Sequence, residues 1–333
     1  MTQGILLVNL GTPISPAERD VKRYLTEFLT DERVIDLPYL KRHLLVKGII
    51  VPKRYRTSAK LYQSIWTEEG SPLLVYGRRV EASLQEQLGP EYKVRLAMRY
   101  QEPSMKTSLE DLRGVKNLVV FPLFPQYASA TTGSVYQKVF DILSQWEVIP
   151  SLRMISNYAD HPALIEAFVA VSQTYALETY DHIVFSYHGL PQRHLKKADR
   201  TGQCLKDPDC CKKNPACYKA QCTMTTQEIV KSLKLPSDRW SQCFQSRLGK
   251  DPWIQPYTSC VLKQLLKEGK KRVLVFCPAF VCDCLETLEE IGSEYRSQFL
   301  KGGGECLDLV EGLNDHPKWI DAIEAIIKNA PPC

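Results

Sequence analysis

The chain has 333 residues, 44% of them hydrophobic and 24% charged, and carries a formal net charge of +5. That length predicts about two domains, each with its own core, the composition is that of an ordinary globular protein, and no apolar run reaches the roughly 18 residues of a membrane-spanning helix. The modest charge, with no long Lys/Arg block, excludes a typical nucleic-acid binder and leaves an anionic ligand or a membrane surface.

The first element is G-I-L-L-V-N-L-G-T-P, residues 4–13, a buried strand closed by Gly11 and Pro13. A strand already present at Ile5 to Val8 leaves no room for a leader in front of it, so the expected location is the cytoplasm. Leu37 to Tyr55 mixes Leu, Ile and Val with Lys41, Arg42, Lys47, Lys53 and Arg54. Such an amphipathic basic stretch either makes peripheral contact with a membrane or lines a cleft mouth, or it packs as a helix with snorkelling cations. Further strands are predicted near residues 92–98, 117–122 and 150–155, and in the second half near 181–187, 238–245, 272–277 and 305–310. Helices are predicted between them, among them Val80–Leu88, Val135–Trp146 and Ala163–Thr179.

The two halves repeat one another. The opening strand and turn match I-V-F-S-Y-H-G-L-P at 183–191, and G-V-K-N-L-V-V-F-P-L-F-P-Q at 114–126 matches G-K-K-R-V-L-V-F-C-P-A-F-V at 269–281. Each half closes on Asp-His-Pro, where Asp160 and Asp315 suit N-caps and Pro162 and Pro317 the first helical turn. The order of the pairs predicts an α/β protein of two similar Rossmann-like domains, each a mostly parallel four-stranded sheet flanked by helices. Domain limits are read at 1–148 and 149–314, with a Cys-rich insert at 193–222 and a final helix of about 315–330 packing on the first domain. The cleft between two such domains is a natural ligand site.

Two stretches carry candidate chemistry. Val273 to Phe276 make a buried strand ended by Pro278, and from Asp283 a helical period begins, which puts Asp283, Glu286, Glu290 and Glu294 on one face and Leu285, Leu288 and Ile291 on another. Spacing alone is equally that of a solvated acidic face. His188 ends the strand of Ile183 to Phe185, and the carboxyl edge of an open α/β sheet is where ligands bind. His161 and His316 read as helix caps, and His43 and His194 as surface groups among basic residues.

All twelve cysteines lie from Cys204 onward, which does not suit a disulfide framework spread through a secreted fold. Cys204, Cys210, Cys211, Cys217 and Cys222 sit among lysines, aspartates and prolines, so packing does not account for them. Their spacing lacks the paired C-x2-C knuckles of common zinc sites, and an iron–sulfur cluster, zinc, and reduced thiols or a conditional disulfide all stay open.

V-N-L-G-T-P, F-P-L-F-P-Q-Y-A-S-A-T-T-G-S, S-Y-H-G-L-P, F-Q-S-R-L-G-K-D-P-W and C-P-A-F-V-C-D-C-L-E-T-L-E-E-I together resemble ferrochelatase, in order and from about residue 4 to residue 325. The resemblance implies insertion of Fe2+ into protoporphyrin IX, with a coproporphyrin ferrochelatase or a cobalt chelatase on the same scaffold as enzyme alternatives and a haem or metal sensor as the non-enzymatic one. It implies His188 and Glu286 as the catalytic pair, on opposite sides of the macrocycle; His188 suits either accepting a proton or ligating Fe2+, and Glu286 with Glu290, Asp283 and Glu294 makes a row that could pass metal in or protons out. It also implies Leu10, Leu29, Ile35, Tyr127 and Trp253 as porphyrin walls, Arg99 and Tyr100 as polar contacts, and Arg78 or Arg79 as propionate anchors. Members that act on coproporphyrin carry a Tyr in the opening turn where this chain has Asn9-Leu10-Gly11, which favours protoporphyrin. Family members with an internal cysteine-rich segment hold a [2Fe–2S] cluster, which implies Cys204, Cys211, Cys217 and Cys222 as ligands, with Cys210 the alternative to Cys211 and zinc the alternative occupant. Cys333 stands alone, so a C-terminal cluster is not expected.

Overall fold

The computed structural model describes residues 3–207, 209–247, 249 and 251–329. It contains two sheets, each of four parallel strands. β1 (Gln3–Gly11), β2 (Tyr92–Tyr100), β3 (Asn117–Pro122) and β4 (Ser151–Met154) are ordered β2-β1-β3-β4. β5 (His182–His188), β6 (Trp240–Gln245), β7 (Arg272–Phe276) and β8 (Cys306–Leu309) are ordered β6-β5-β7-β8. The same order twice is what the repeated motifs predict.

Central strands of a parallel sheet are covered on both faces, so their sequences are continuously apolar. Ile5 to Val8 and Ile183 to Phe185 are accordingly 0% exposed. Each such side chain contributes about 1.5–3 kcal/mol by leaving water. One face of the first sheet packs Leu6, Val8, Leu118 and Val120 against Val135, Val139 and Trp146; in the second, Val184, Val273, Val275 and Leu307 pack against Leu262, Ile291 and Phe299.

The ends of β1 and β5 are built alike. A Cβ on Gly11, whose φ is +120°, would stand 2.1 Å from the Tyr100 carbonyl oxygen, and one on Gly189 would stand 2.8 Å from that of Gln245. In both halves the chain leaves the central strand by pressing its backbone onto the neighbouring strand, and only glycine has room there. Leu10 and His188 are therefore equivalent positions in the two sheets.

The chain divides into two compact units, one of Met1–Phe124, Ala128–Asn157 and Ile323–Cys333, the other of Pro125–Tyr127 and Tyr158–Ala322. The first takes in residues beyond 148 because β4 pairs with β3 through Asn117 to Val120. Its C-terminal segment is joined to it by hydrogen bonds from Arg153 to the Ile327 carbonyl and from Gln87 to Glu324. Cys333 lies outside the described residues.

Three local expectations are revised. Of the two residues read as caps at each Asp-His-Pro helix, the histidine and not Asp160 or Asp315 is the one that caps: His161 Nδ1 accepts from Ala163 N at 3.3 Å and His316 Nδ1 from Lys318 N at 3.2 Å. Proline at the first helical position disfavours helical backbone just before it, which makes that residue the N-cap. The helix predicted over Ala163–Thr179 stops at Ser172, and a short 3-10 turn follows at Leu177–Thr179. Between them the Tyr175 hydroxyl donates to the Leu309 carbonyl at 3.0 Å, fixing the chain to β8. The acidic helix, Leu285–Tyr295, is a π-helix that starts after Asp283, with Cys284 as its N-cap.

Candidate active site

The second sheet changes direction between β5 and β7, since the chain runs from β5 outward to β6 and then returns to β7 on the other side. The crevice outside the carboxyl ends of such a pair is the usual ligand position in open α/β sheets. His188 ends β5, and the segment after β7 leads into the acidic helix.

His188 is half-buried, with ring centroids of Trp253 and Phe280 at 6.2 and 6.3 Å. Its Nδ1 is 2.6 Å from the Gly189 carbonyl oxygen. A carbonyl only accepts, so Nδ1 carries a proton, and whenever the ring is neutral its lone pair is on Nε2. The backbone beneath it is held by the Tyr218 hydroxyl, which donates to the His188 carbonyl at 2.8 Å. Trp253 reaches the histidine because residues 190–192 and 252–254 bond across, with Ile254 N donating to Leu190 O at 3.0 Å and Gln192 N to Pro252 O at 2.8 Å. Trp253 is 8% exposed and its buried Nε1–H has no acceptor among the described residues.

Gln245, the register partner of His188 on β6, links this strand end to the acidic helix. Its amide donates to the Glu286 carbonyl at 2.7 Å and to Glu290 Oε2 at 3.1 Å, while its own oxygen accepts from Ser186 Oγ at 2.7 Å. Ser246 N donates to Glu290 Oε1 at 2.7 Å and Ser246 Oγ donates to Oε2. To do so Ser246 adopts φ +65°, a left-handed backbone that costs a non-glycine residue about 1–3 kcal/mol and gathers at functional sites. The Glu290 carboxyl group is thus held in place by three donors. The Glu286 side chain is less committed: it is half-buried and bonded by the Cys284 thiol, whose pKa is pushed well up by burial and then by the Glu286 charge. Glu294 lies exposed at the outer end of the row, raised first by desolvation and then by Glu290 and Glu289.

A π-helix closes i→i+5, so four residues fall slightly short of a turn and Glu286, Glu290 and Glu294 still share a face. Asp283 leaves that row. It precedes the helix and is 5% exposed, and its carboxylate accepts from Thr287 Oγ1, Gly312 N and Asn314 Nδ2. Sequence reasoning missed Gln245, Ser246 and Asn314. F-Q-S-R was visible as a motif, but nothing local says which side chains its polar groups meet.

Of the expected porphyrin contacts, Trp253 stands beside His188. Tyr127 belongs to the same unit, its N–H donating to Gln221 Oε1 at 2.7 Å. Leu10 and Ile35, in the other unit, are half-buried, whereas Leu29 is 6% exposed and packs with Val46 and Val51 in a small apolar cluster. Arg99 and Tyr100 are spoken for by Asp31, whose Oδ2 accepts from Arg99 Nη2 at 2.6 Å, Tyr100 OH at 2.9 Å and Ser134 Oγ at 2.6 Å. Arg78 and Arg79 are exposed and paired with Glu81 and Glu69 at 2.7 and 2.9 Å.

Burial alone would raise Asp31, but the hydrogen bonds from Ser134 and Arg33 N, the Arg99 charge and Tyr100 OH hold it below the usual aspartate range. A carboxylate depressed on folding contributes stability that is present above its unfolded value and lost as pH falls through the folded one. Asp31→Asn is therefore expected to cost about 3 kcal/mol near neutrality and to flatten the acid limb of a Tm-against-pH curve below about pH 4.

The five insert thiols influence one another. Cys204 is pushed up to about 12, by burial and then by Cys217 and Cys210, and Cys211 to about 11, by burial and the same two neighbours. Cys222 is wholly buried and raised mainly for that reason, with Cys217 and Cys211 adding. Among the described residues no three His, Cys, Asp or Glu side chains are gathered closely enough to hold a metal ion.

The ferrochelatase family profile matches residues 2–330. Ferrochelatase of Legionella pneumophila strain Lens is 46% identical over 331 residues, covering 98% of this chain and 99% of that one. Ferrochelatase of Ectopseudomonas mendocina strain ymp is 44% identical over 336 residues, 98% of each. The solved structure of SirB from Bacillus subtilis with Fe3+ superposes with a TM-score of 0.57 at 14% identity, covering 98% of this chain and 95% of that one. That of CbiX, described as the terminal enzyme for siroheme biosynthesis in denitrifying bacteria, gives 0.51 at 12% identity, covering 99% of this chain and 100% of that one. At such identities it is the fold that is shared. A profile match over nearly the whole length and relatives at 44–46% identity place the chain in the ferrochelatase family of metal chelatases.

Proposed function

We propose that the protein inserts Fe2+ into protoporphyrin IX to give protohaem. Two pyrrole N–H bonds break, four iron–nitrogen bonds form, two protons leave and iron stays ferrous. The observation that carries the reading is the contact of His188 Nδ1 with Gly189 O: with Nδ1–H held there, the neutral ring offers Nε2 as the base for a pyrrole proton. Glu286 receives the metal, and Glu290 and Glu294 continue the acidic row by which ions enter or protons leave. Leu10, Ile35, Tyr127 and Trp253 are the proposed porphyrin contacts.

The test is anaerobic turnover with ferrous, cobaltous and zinc ions on protoporphyrin and coproporphyrin. Fe2+ with protoporphyrin should be fastest. Preference for coproporphyrin or for cobalt would move the assignment to those chelatases, and tight haem binding without turnover would make the protein a sensor.

Cys204, Cys211, Cys217 and Cys222, with Cys210 as the alternative ligand, are the proposed holders of a [2Fe–2S] cluster, or of zinc. Four thiolates are the donor set such a group needs, and ligation would require the loop to draw these thiols together, since among the described residues no three possible ligands are gathered. A bound cluster would supply one-electron redox chemistry, which metal insertion does not use. Visible absorption with iron, zinc and sulfide analysis of anaerobically purified protein tests this, and a colourless, metal-free protein would rule it out.

The basic segment is proposed to rest on a membrane surface. Tyr39, Leu40 and Leu44 are 63%, 72% and 73% exposed, beside exposed Lys41 and Lys47. Failure to co-sediment with anionic vesicles at low salt would remove it. No described helix is long and apolar enough to cross a membrane.

A further inference from the structure

Asp283 is 5% exposed, Asn314 6% and Thr287 1%, and the three form one closed network. Asp283 N donates to Asn314 Oδ1 at 2.9 Å while Asn314 Nδ2 returns a bond to Asp283 Oδ2 at 2.8 Å. Gly312 N donates to the same oxygen at 3.2 Å. Thr287 Oγ1 donates to Asp283 Oδ1 at 3.0 Å and accepts from Cys284 N at 3.0 Å. The loop opposite is shaped for this: Asn314 has φ +47°, and a Cβ on Gly312 would come within 2.8 Å of Asp283 N. Every one of these donors is neutral, and a carboxylate this buried and this fully bonded cannot accept a passing ion without breaking the network.

We infer that Asp283 is a positioning residue, which sets where Glu286 stands by clamping the first turn of the acidic helix to the Gly312–Asn314 loop. The inference rests on the assignment of Glu286 to the metal side. Asp283 acts through its acceptor geometry and not through its charge. Asparagine can reproduce that geometry: its oxygen accepts from Gly312 N and Asn314 Nδ2, its NH2 donates to Thr287 Oγ1, and the threonine hydroxyl turns to the Cys284 carbonyl 3.2 Å away. Alanine cannot.

The experiment measures kcat and KM for ferrous iron in the wild type, Asp283→Ala, Asp283→Asn and Asn314→Ala, with circular dichroism to verify folding and porphyrin fluorescence quenching to read substrate binding. Asp283→Ala and Asn314→Ala are each expected to lower kcat/KM for iron about 10–100-fold with porphyrin affinity unchanged. The double variant should be no worse than the poorer single one. Asp283→Asn should stay within about threefold of the wild type, because it restores the bonds without the charge. Asp283→Asn as impaired as Asp283→Ala would overturn the inference and return Asp283 to the metal path; so would wild-type iron kinetics in folded Asp283→Ala or Asn314→Ala. Should Asp283→Ala not fold, Asp283→Asn and Asn314→Ala decide alone, the inference standing only if the first keeps and the second loses activity. An inactive wild type would count against the chelatase reading instead.

Discussion

Replacing His188 by alanine is expected to lower iron insertion about a thousandfold, the usual worth of a positioned proton acceptor. Porphyrin should still bind. The imidazole is held at Nδ1 by Gly189 O and set between Trp253 and Phe280, so removing it takes away the Nε2 base and leaves the aromatic surroundings. The strand beneath should stay in place, because its anchors are backbone bonds and the Tyr218 hydroxyl. Fluorescence quenching titrations would report porphyrin affinity and stopped-flow absorbance would report insertion. Loss of both together, or activity within tenfold of the wild type, would remove His188 from the role of proton acceptor.

The second large effect is expected at Glu286. Glu286→Gln replaces the carboxylate proposed to receive the metal and should reduce kcat/KM for iron by about 10²–10³-fold, the range of losing one preorganised charged group. The backbone of residue 286 keeps its bond from Gln245, so the helix should stand. Glu290→Gln makes an instructive contrast. Its carboxylate accepts from Ser246 N, Ser246 Oγ and Gln245 Nε2, and a glutamine NH2 group would meet donors on either side. Glu290→Gln should therefore lower Tm as well as rate, whereas Glu286→Gln should lower rate with little change in Tm. Equal thermal losses in both variants would remove the distinction between a lightly bonded and a multiply bonded carboxylate.

Much of the fold is legible in particular stretches. Ile5 to Val8 and Val273 to Phe276 are apolar because both faces of a central parallel strand are covered, and the four central strands β1, β3, β5 and β7 lie where such runs occur, whereas the outer strands are mixed in sequence. The repeat of L-G-T-P in H-G-L-P is legible too, since glycine is demanded wherever one strand's backbone presses on its neighbour's carbonyl. Helix details were less legible. A spacing of three and four residues fits an α-turn, so Asp283 was drawn into the acidic row, and only the i→i+5 helix beginning after it shows that it lies outside. Arg99 and Tyr100 are polar contacts by resemblance alone, and nothing near them in the chain announces Asp31, to which both donate.

The sequence by itself determined the strands, their duplicated order and the placing of an imidazole at a sheet's carboxyl edge, because burial and backbone sterics act residue by residue along the chain. Tertiary structure alone decided which polar groups are available. Hydrogen-bond partners such as Gln245 with Glu290, Asn314 with Asp283 and Asp31 with Arg99 lie 45, 31 and 68 residues apart. Whether a carboxylate is a free ligand or a filled acceptor depends on what folding brings to it.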